Sequence, residues 1–161
     1  MVDPSNLGKN FFVLIGDMMD RFEPVICVVG MGYVGLPLAV ELAKYFPVRG
    51  YDIKVDRIEE LRGCRDRTGE VSVGQLREVY GGGALYHGGS GLEFTVDEVD
   101  IGSANFVIIA VPTPIDEHKN PDLTPLYRSS EVVGRNLQRG AVVVYESTVY
   151  PGVTEDECVP V

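Results

Sequence analysis

The chain has 161 residues, of which 45 % are apolar and 24 % charged, which is enough for one domain with a real core. A net charge of -10 would be repelled by a phosphate backbone, so nucleic acid is excluded as a first partner. No apolar run approaches the length of a membrane span, and three scattered cysteines with no CxxC pair or His/Cys cluster exclude a disulfide framework and a metal site. A reducing, cytoplasmic setting fits that cysteine usage.

Residues 1–24 read as a helical extension. Leu7, Phe11, Leu14, Ile15, Met18 and Phe22 form a helical stripe, Ser5 is placed to cap it, and Pro24 ends it. Its apolar face packs on its own domain or on another subunit; it lacks the basic cluster of a membrane-surface helix. The period then changes. Val25–Val29 is a short β-branched run, the pattern of a buried parallel strand. A glycine turn follows over 30–35, then a helix over 36–46, with Pro37 tolerable in its first turn. A second strand is expected over 48–53 and a helix over 56–62, ending near Gly63.

The middle of the chain carries weaker signals. A short helix fits 73–80, residues 81–91 form a glycine-rich surface loop, and 92–95 is a short strand. Stronger ones return with a strand over 106–111, a helix over 123–138 with Asp122 or Thr124 at its start, and a strand over 141–145. Thr154-Glu155-Asp156-Glu157 resembles the opening turn of a helix capped by Thr154. The sequence ends soon afterwards, which suggests a truncated chain. Strands alternate with helices throughout 25–161, so the expected class is α/β, a Rossmann-type doubly wound domain with a mostly parallel sheet.

Gly30-Met31-Gly32-Tyr33-Val34-Gly35 is GxGxxG. Between a strand and a helix, this spacing has a mechanism. Gly30 permits the tight turn, Gly32 lets a pyrophosphate approach the backbone, and Gly35 lets helix and strand pack closely. The helix start adds free N–H donors and partial positive charge. Asp52, at the end of the second strand, is placed to accept hydrogen bonds from the adenosine ribose, which favours NAD over NADP; it also stands where a helix cap would. Arg57 has three open readings: the adenine or ribose edge, a 2′-phosphate, or a solvated helix surface. Thr113, Ser147 and Thr148 lie in loops that follow strands, where hydroxyls face a cofactor crevice or simply serve the turns. His87 and His118 each stand alone in a loop and read as surface residues.

Four stretches carry a family resemblance: GMGYVGLPLA (30–39), VPTPID (111–116), PDLTPL (121–126) and VYESTVYPGVTEDECVP (144–160). The chain resembles the UDP-glucose/GDP-mannose dehydrogenase family, and in the 111–116 and 145–152 wordings it is similar to the bacterial UDP-N-acetylhexosamine 6-dehydrogenases of polysaccharide biosynthesis. The resemblance spans about Val25 to Val161. It implies a two-step oxidation of a sugar C6 alcohol to a carboxylate with two NAD. It also implies a UDP-sugar substrate and a homo-oligomer at full length. By resemblance Tyr33, Val34, Asp52, Arg57, Thr113 and Thr148 contact the cofactor, and Thr148 also sits near the reacting centre. The family's nucleophilic cysteine lies far downstream, in a segment this sequence lacks. Cys27 falls within a strand, Cys64 matches no position of known role, and Cys158 is surrounded by acids, so none fits that role. The chain alone is therefore expected to be inactive, and the alternative is a non-catalytic dinucleotide-binding module.

Overall fold

The computed structural model describes residues 24–81, 89–115 and 121–161. The helix expected over 1–24, most of the glycine-rich loop, and Asp116, His87 and His118 lie outside the described residues.

The elements run β1 (Ile26–Val29), α1 (Gly35–Leu42), β2 (Pro47–Tyr51), α2 (Val55–Arg62), α3 (Val73–Val79), β3 (Gly91–Thr95), a 3₁₀ turn (Glu98–Ser103), β4 (Phe106–Ile109), α4 (Thr124–Asn136) and β5 (Val142–Tyr145). All five strands are parallel, in the order β3-β2-β1-β4-β5. The first three strands are laid down in one direction from β1. The chain then crosses back to place β4 on the other side of β1, so the order reverses between β1 and β4. Such a switch point leaves a crevice outside the carboxyl ends of the strands.

Burial on both faces explains why β1 reads as an unbroken apolar run. Ile26 and Val28 join one core with Leu36, Ala39, Ile58, Leu61 and Leu76 of α1–α3. Cys27 and Val29 face the other way, into a second core with Leu126 and Val133 of α4. Alternate side chains of one strand thus serve opposite layers, and each fully buried leucine contributes roughly 1.5–3 kcal/mol.

Several expected boundaries shift. The first helix ends at Leu42, because the amides of Tyr45 and Phe46 both turn back to the Leu42 carbonyl, so 43–46 is a tight turn. β2 and β4 end two residues early, where the chain leaves the ladder to form the crevice. The expected terminal helix is a π-type turn over Val153–Cys158. It starts from Gly152 in the left-handed conformation (φ 95°), so Gly152 and not Thr154 takes the cap position.

Candidate functional site

The parallel order brings the segments after β1, β2, β4 and β5 to one edge of the sheet. In the first of them Gly30 has φ 98°, and its N–H donates to the Tyr51 carbonyl at 2.8 Å. A Cβ there would lie 3.0 Å from the Ala110 carbonyl oxygen at the end of β4. At Gly35 a Cβ would stand 1.8 Å from the Gly30 carbonyl oxygen, so only glycine lets α1 start this close to β1. Gly32 differs: a Cβ would meet nothing within 4 Å, so this position faces open space. Gly30 and Gly35 thus serve the turn and the close packing that the spacing predicts, and Gly32 leaves its side of the turn open. Tyr33 and Val34, at the helix start, are 69 % and 56 % exposed, an apolar pair on the rim of the crevice.

Asp52 stands just past β2, and its carboxylate braces the turn. Oδ2 accepts from the Met31 amide at 2.8 Å and Oδ1 from the Lys54 amide at 2.9 Å. It does not cap α2; that position belongs to Lys54, which makes no side-chain cap bond. Each carboxylate oxygen keeps lone-pair capacity for a ribose hydroxyl. The neighbouring Ile53 is 74 % exposed, an apolar surface beside that carboxylate which sequence reasoning missed because Ile53 reads as the end of a strand.

Arg57 corrects one reading. It is 5 % exposed, so it is not a solvated helix arginine. Its Nε donates to the Met31 carbonyl at 2.8 Å, Nη1 to Glu60 at 3.1 Å and Nη2 to Asp66 at 2.7 Å. Two carboxylates already balance its charge, which disfavours the 2′-phosphate reading and agrees with NAD.

The loops after β4 and β5 are tied together. Ser147 Oγ donates to the Val111 carbonyl at 2.7 Å, and Thr113 Oγ1 donates to the Thr148 carbonyl at 2.8 Å. The hydroxyls of Thr113 and Ser147 therefore serve the loop frame, each with acceptor capacity left over. Thr148 itself is exposed at the same edge. Cys27 is far less reactive than a nucleophile requires: burial pushes its thiol up to about 12. Burial also raises Cys158, ahead of the nearby Glu157 charge. Cys64 is half-buried after α2, with a left-handed φ of 53°.

A doubly wound parallel sheet, a glycine turn opening a helix at its switch point and a carboxylate closing the next strand together define an NAD-binding domain. Residues 24–161 match the model of the UDP-glucose/GDP-mannose dehydrogenase family, NAD binding domain. The chain is 52 % identical over 136 residues to a UDP-N-acetyl-D-glucosamine 6-dehydrogenase of Pseudomonas aeruginosa, covering 84 % of this chain and 30 % of that protein. It is 51 % identical over 139 residues to the enzyme of the same name from Salmonella typhi, covering 86 % and 30 %. Among solved structures, a UDP-D-ManNAc dehydrogenase from Pyrococcus horikoshii superposes with a TM-score of 0.70 at 35 % identity, covering 81 % of this chain and 30 % of that one. The chain belongs to the UDP-glucose/GDP-mannose dehydrogenase family, as its NAD-binding domain, and it spans about 30 % of the length of these relatives.

Proposed function

We propose that this chain supplies the NAD-binding part of a dehydrogenase that oxidises the C6 alcohol of a UDP-N-acetylhexosamine to the uronate, in polysaccharide biosynthesis. The observation that carries the reading is the 52 % identity to a UDP-N-acetyl-D-glucosamine 6-dehydrogenase. Identity to a UDP-N-acetyl-D-mannosamine dehydrogenase of Methanocaldococcus jannaschii is 36 %.

In this reading Gly30, Gly32 and Gly35 seat the pyrophosphate against the start of α1. Asp52 accepts from the ribose hydroxyls, and Tyr33 and Val34 flank the cofactor. Thr113 and Thr148 line the nicotinamide side, with Thr148 next to the reacting carbon. Arg57 supports the adenosine side by holding the Met31 carbonyl. NAD held by these residues would supply the hydride acceptor for oxidation of the sugar alcohol. By family resemblance the nucleophilic cysteine is assigned to a segment outside these residues; in support, burial pushes the Cys27 thiol up to about 12, Cys158 is likewise buried, and Cys64 matches no family position of known role. A cytoplasmic setting and a homo-oligomeric complete enzyme go with this assignment.

The test is calorimetric titration of the chain with NAD, followed by UDP-N-acetylglucosamine with NADH absorbance as readout. Saturable NAD binding and no NADH are expected. Absence of NAD binding refutes the cofactor reading, and NADH formed by this chain alone refutes the placement of the nucleophile outside it.

A further inference from the structure

Met31, the first variable residue of the glycine turn, is held from three sides. Its amide donates to Asp52, its carbonyl accepts from Arg57, and its side chain is fully buried, with Sδ 2.6 Å from where a Cβ on Gly50 would lie. The Asp52 contact comes from a residue already assigned to the cofactor. The Arg57 contact depends on a loop that no cofactor motif includes.

That loop, 64–72, is wound around one carboxylate. The Asp66 side chain is 0 % exposed. Its Oδ1 accepts from Arg57 Nη2 (2.7 Å), the Thr68 hydroxyl (2.7 Å) and the Thr68 amide (3.0 Å). Its Oδ2 accepts from the Glu70 and Val71 amides, each at 3.0 Å. Five donors on two oxygens fill the acceptor capacity of a carboxylate. A buried arginine needs such a counter-charge to stay buried.

We propose that Asp66 is a positioning residue for the dinucleotide: through Arg57 it fixes the Met31 carbonyl, and with it the backbone of the glycine turn that meets the pyrophosphate. The proposal rests on the reading of that turn as the NAD cradle. The chain of contacts runs from the Asp66 carboxylate to Arg57 Nη2, and from Arg57 Nε to the Met31 carbonyl. An amide in place of the carboxylate cannot serve. It would set either an NH₂ against the Glu70 and Val71 amides, or an NH₂ against Arg57 and Thr68. Arg57 then loses a charged partner, and the turn samples arrangements that do not bind.

The test is calorimetric NAD titration of the full chain, in parallel with thermal unfolding. If the competent fraction of the turn falls to about a tenth, Asp66→Asn raises the Kd for NAD about tenfold at a temperature where the variant is fully folded. A purely structural role would lower Tm and leave that Kd in place. Arg57→Lys provides the second arm, because lysine cannot reach Met31 and Asp66 together. In the Arg57→Lys background, Asp66→Asn should change Kd by less than about twofold and still lower Tm. Should Asp66→Asn not fold, Asp66→Glu keeps the charge, displaces the carboxylate by a methylene, and should raise Kd at least about threefold by the same loss of competent fraction. A Kd within about twofold of wild type for the folded Asp66 variant, or a full further loss in the Arg57→Lys background, overturns the proposal. No NAD binding by the wild-type chain would instead refute the cradle reading, and the proposal with it.

Discussion

Gly32→Ala and Gly35→Ala add the same methyl group three residues apart and should fail in opposite ways. At Gly35 the new Cβ would sit 1.8 Å from the Gly30 carbonyl oxygen and 3.3 Å from the Ala110 Cβ. The first contact is backbone, so relief requires α1 to move away from β1. Overpacking of this kind costs about 3 kcal/mol or more, which for a chain of this size lowers Tm by about 6–12 °C. At Gly32 the same methyl meets no protein atom within 4 Å. Stability should be unchanged or raised by up to about 1 kcal/mol through the stiffer unfolded chain. NAD binding should nevertheless weaken, because the methyl occupies the approach of the pyrophosphate. A clash of about 1–3 kcal/mol corresponds to roughly 5- to 150-fold in Kd. Differential scanning calorimetry and NAD titration on both variants check the pair. A Gly32→Ala variant that binds NAD like wild type would refute the assignment of Gly32 to the pyrophosphate. A Gly35→Ala variant with unchanged Tm would refute the close-packing argument.

Asp52→Ala should weaken NAD more than NADP, so that the ratio of the two affinities, measured by competition, falls by about tenfold; an unchanged ratio would count against the ribose contact. Native-state thiol labelling at pH 8 should modify Cys64 quickly and leave Cys27 and Cys158 slow until denaturant is added, since both are buried; rapid labelling of three thiols would contradict that burial. Burial alone would raise the Asp66 carboxyl, but bonds from Thr68, Arg57 and the Val71 amide outweigh it and hold the group at about 2, below its ordinary 3.8. Its stabilising effect is therefore complete above about pH 4 and is lost as pH falls towards 2. Thermal unfolding of wild type should show that loss, and Asp66→Asn should flatten it.

β1, buried at all four positions, was the most legible strand, because burial on both faces needs apolar residues throughout. β4 and β5 were legible from their β-branched runs, although β5 lies at the sheet edge and none of its residues is fully buried. β3 was faint: Gly91 and Glu93 interrupt its run, and its place at the sheet edge comes from pairing with β2. The glycine turn was legible because its spacing is local, whereas the bracing of that turn by the Asp52 carboxylate was not, since its partners there are backbone amides. Arg57 was not. Its neighbours on α2 suggest a solvated face, and its main partner, Asp66, lies in a loop with no periodicity. The cross-loop bonds of Thr113 and Ser147 were equally hidden, since their acceptors are backbone carbonyls more than thirty residues away. The final turn was misread because acids after Thr154 look like a helix start, whereas Gly152 sets the geometry by its left-handed backbone.

The bonds from Ser147 to Val111 and from Thr113 to Thr148 join two stretches of chain that arrive from neighbouring strands. They run in opposite senses, one donor from each stretch, so neither loop can swing without stretching a bond that the other supplies. The two form a single lip on one side of the crevice, opposed by the turn at Gly30 and the carboxylate of Asp52. Because Thr113 donates to the Thr148 carbonyl, a ligand that pulls on Thr113 would also pull on Thr148.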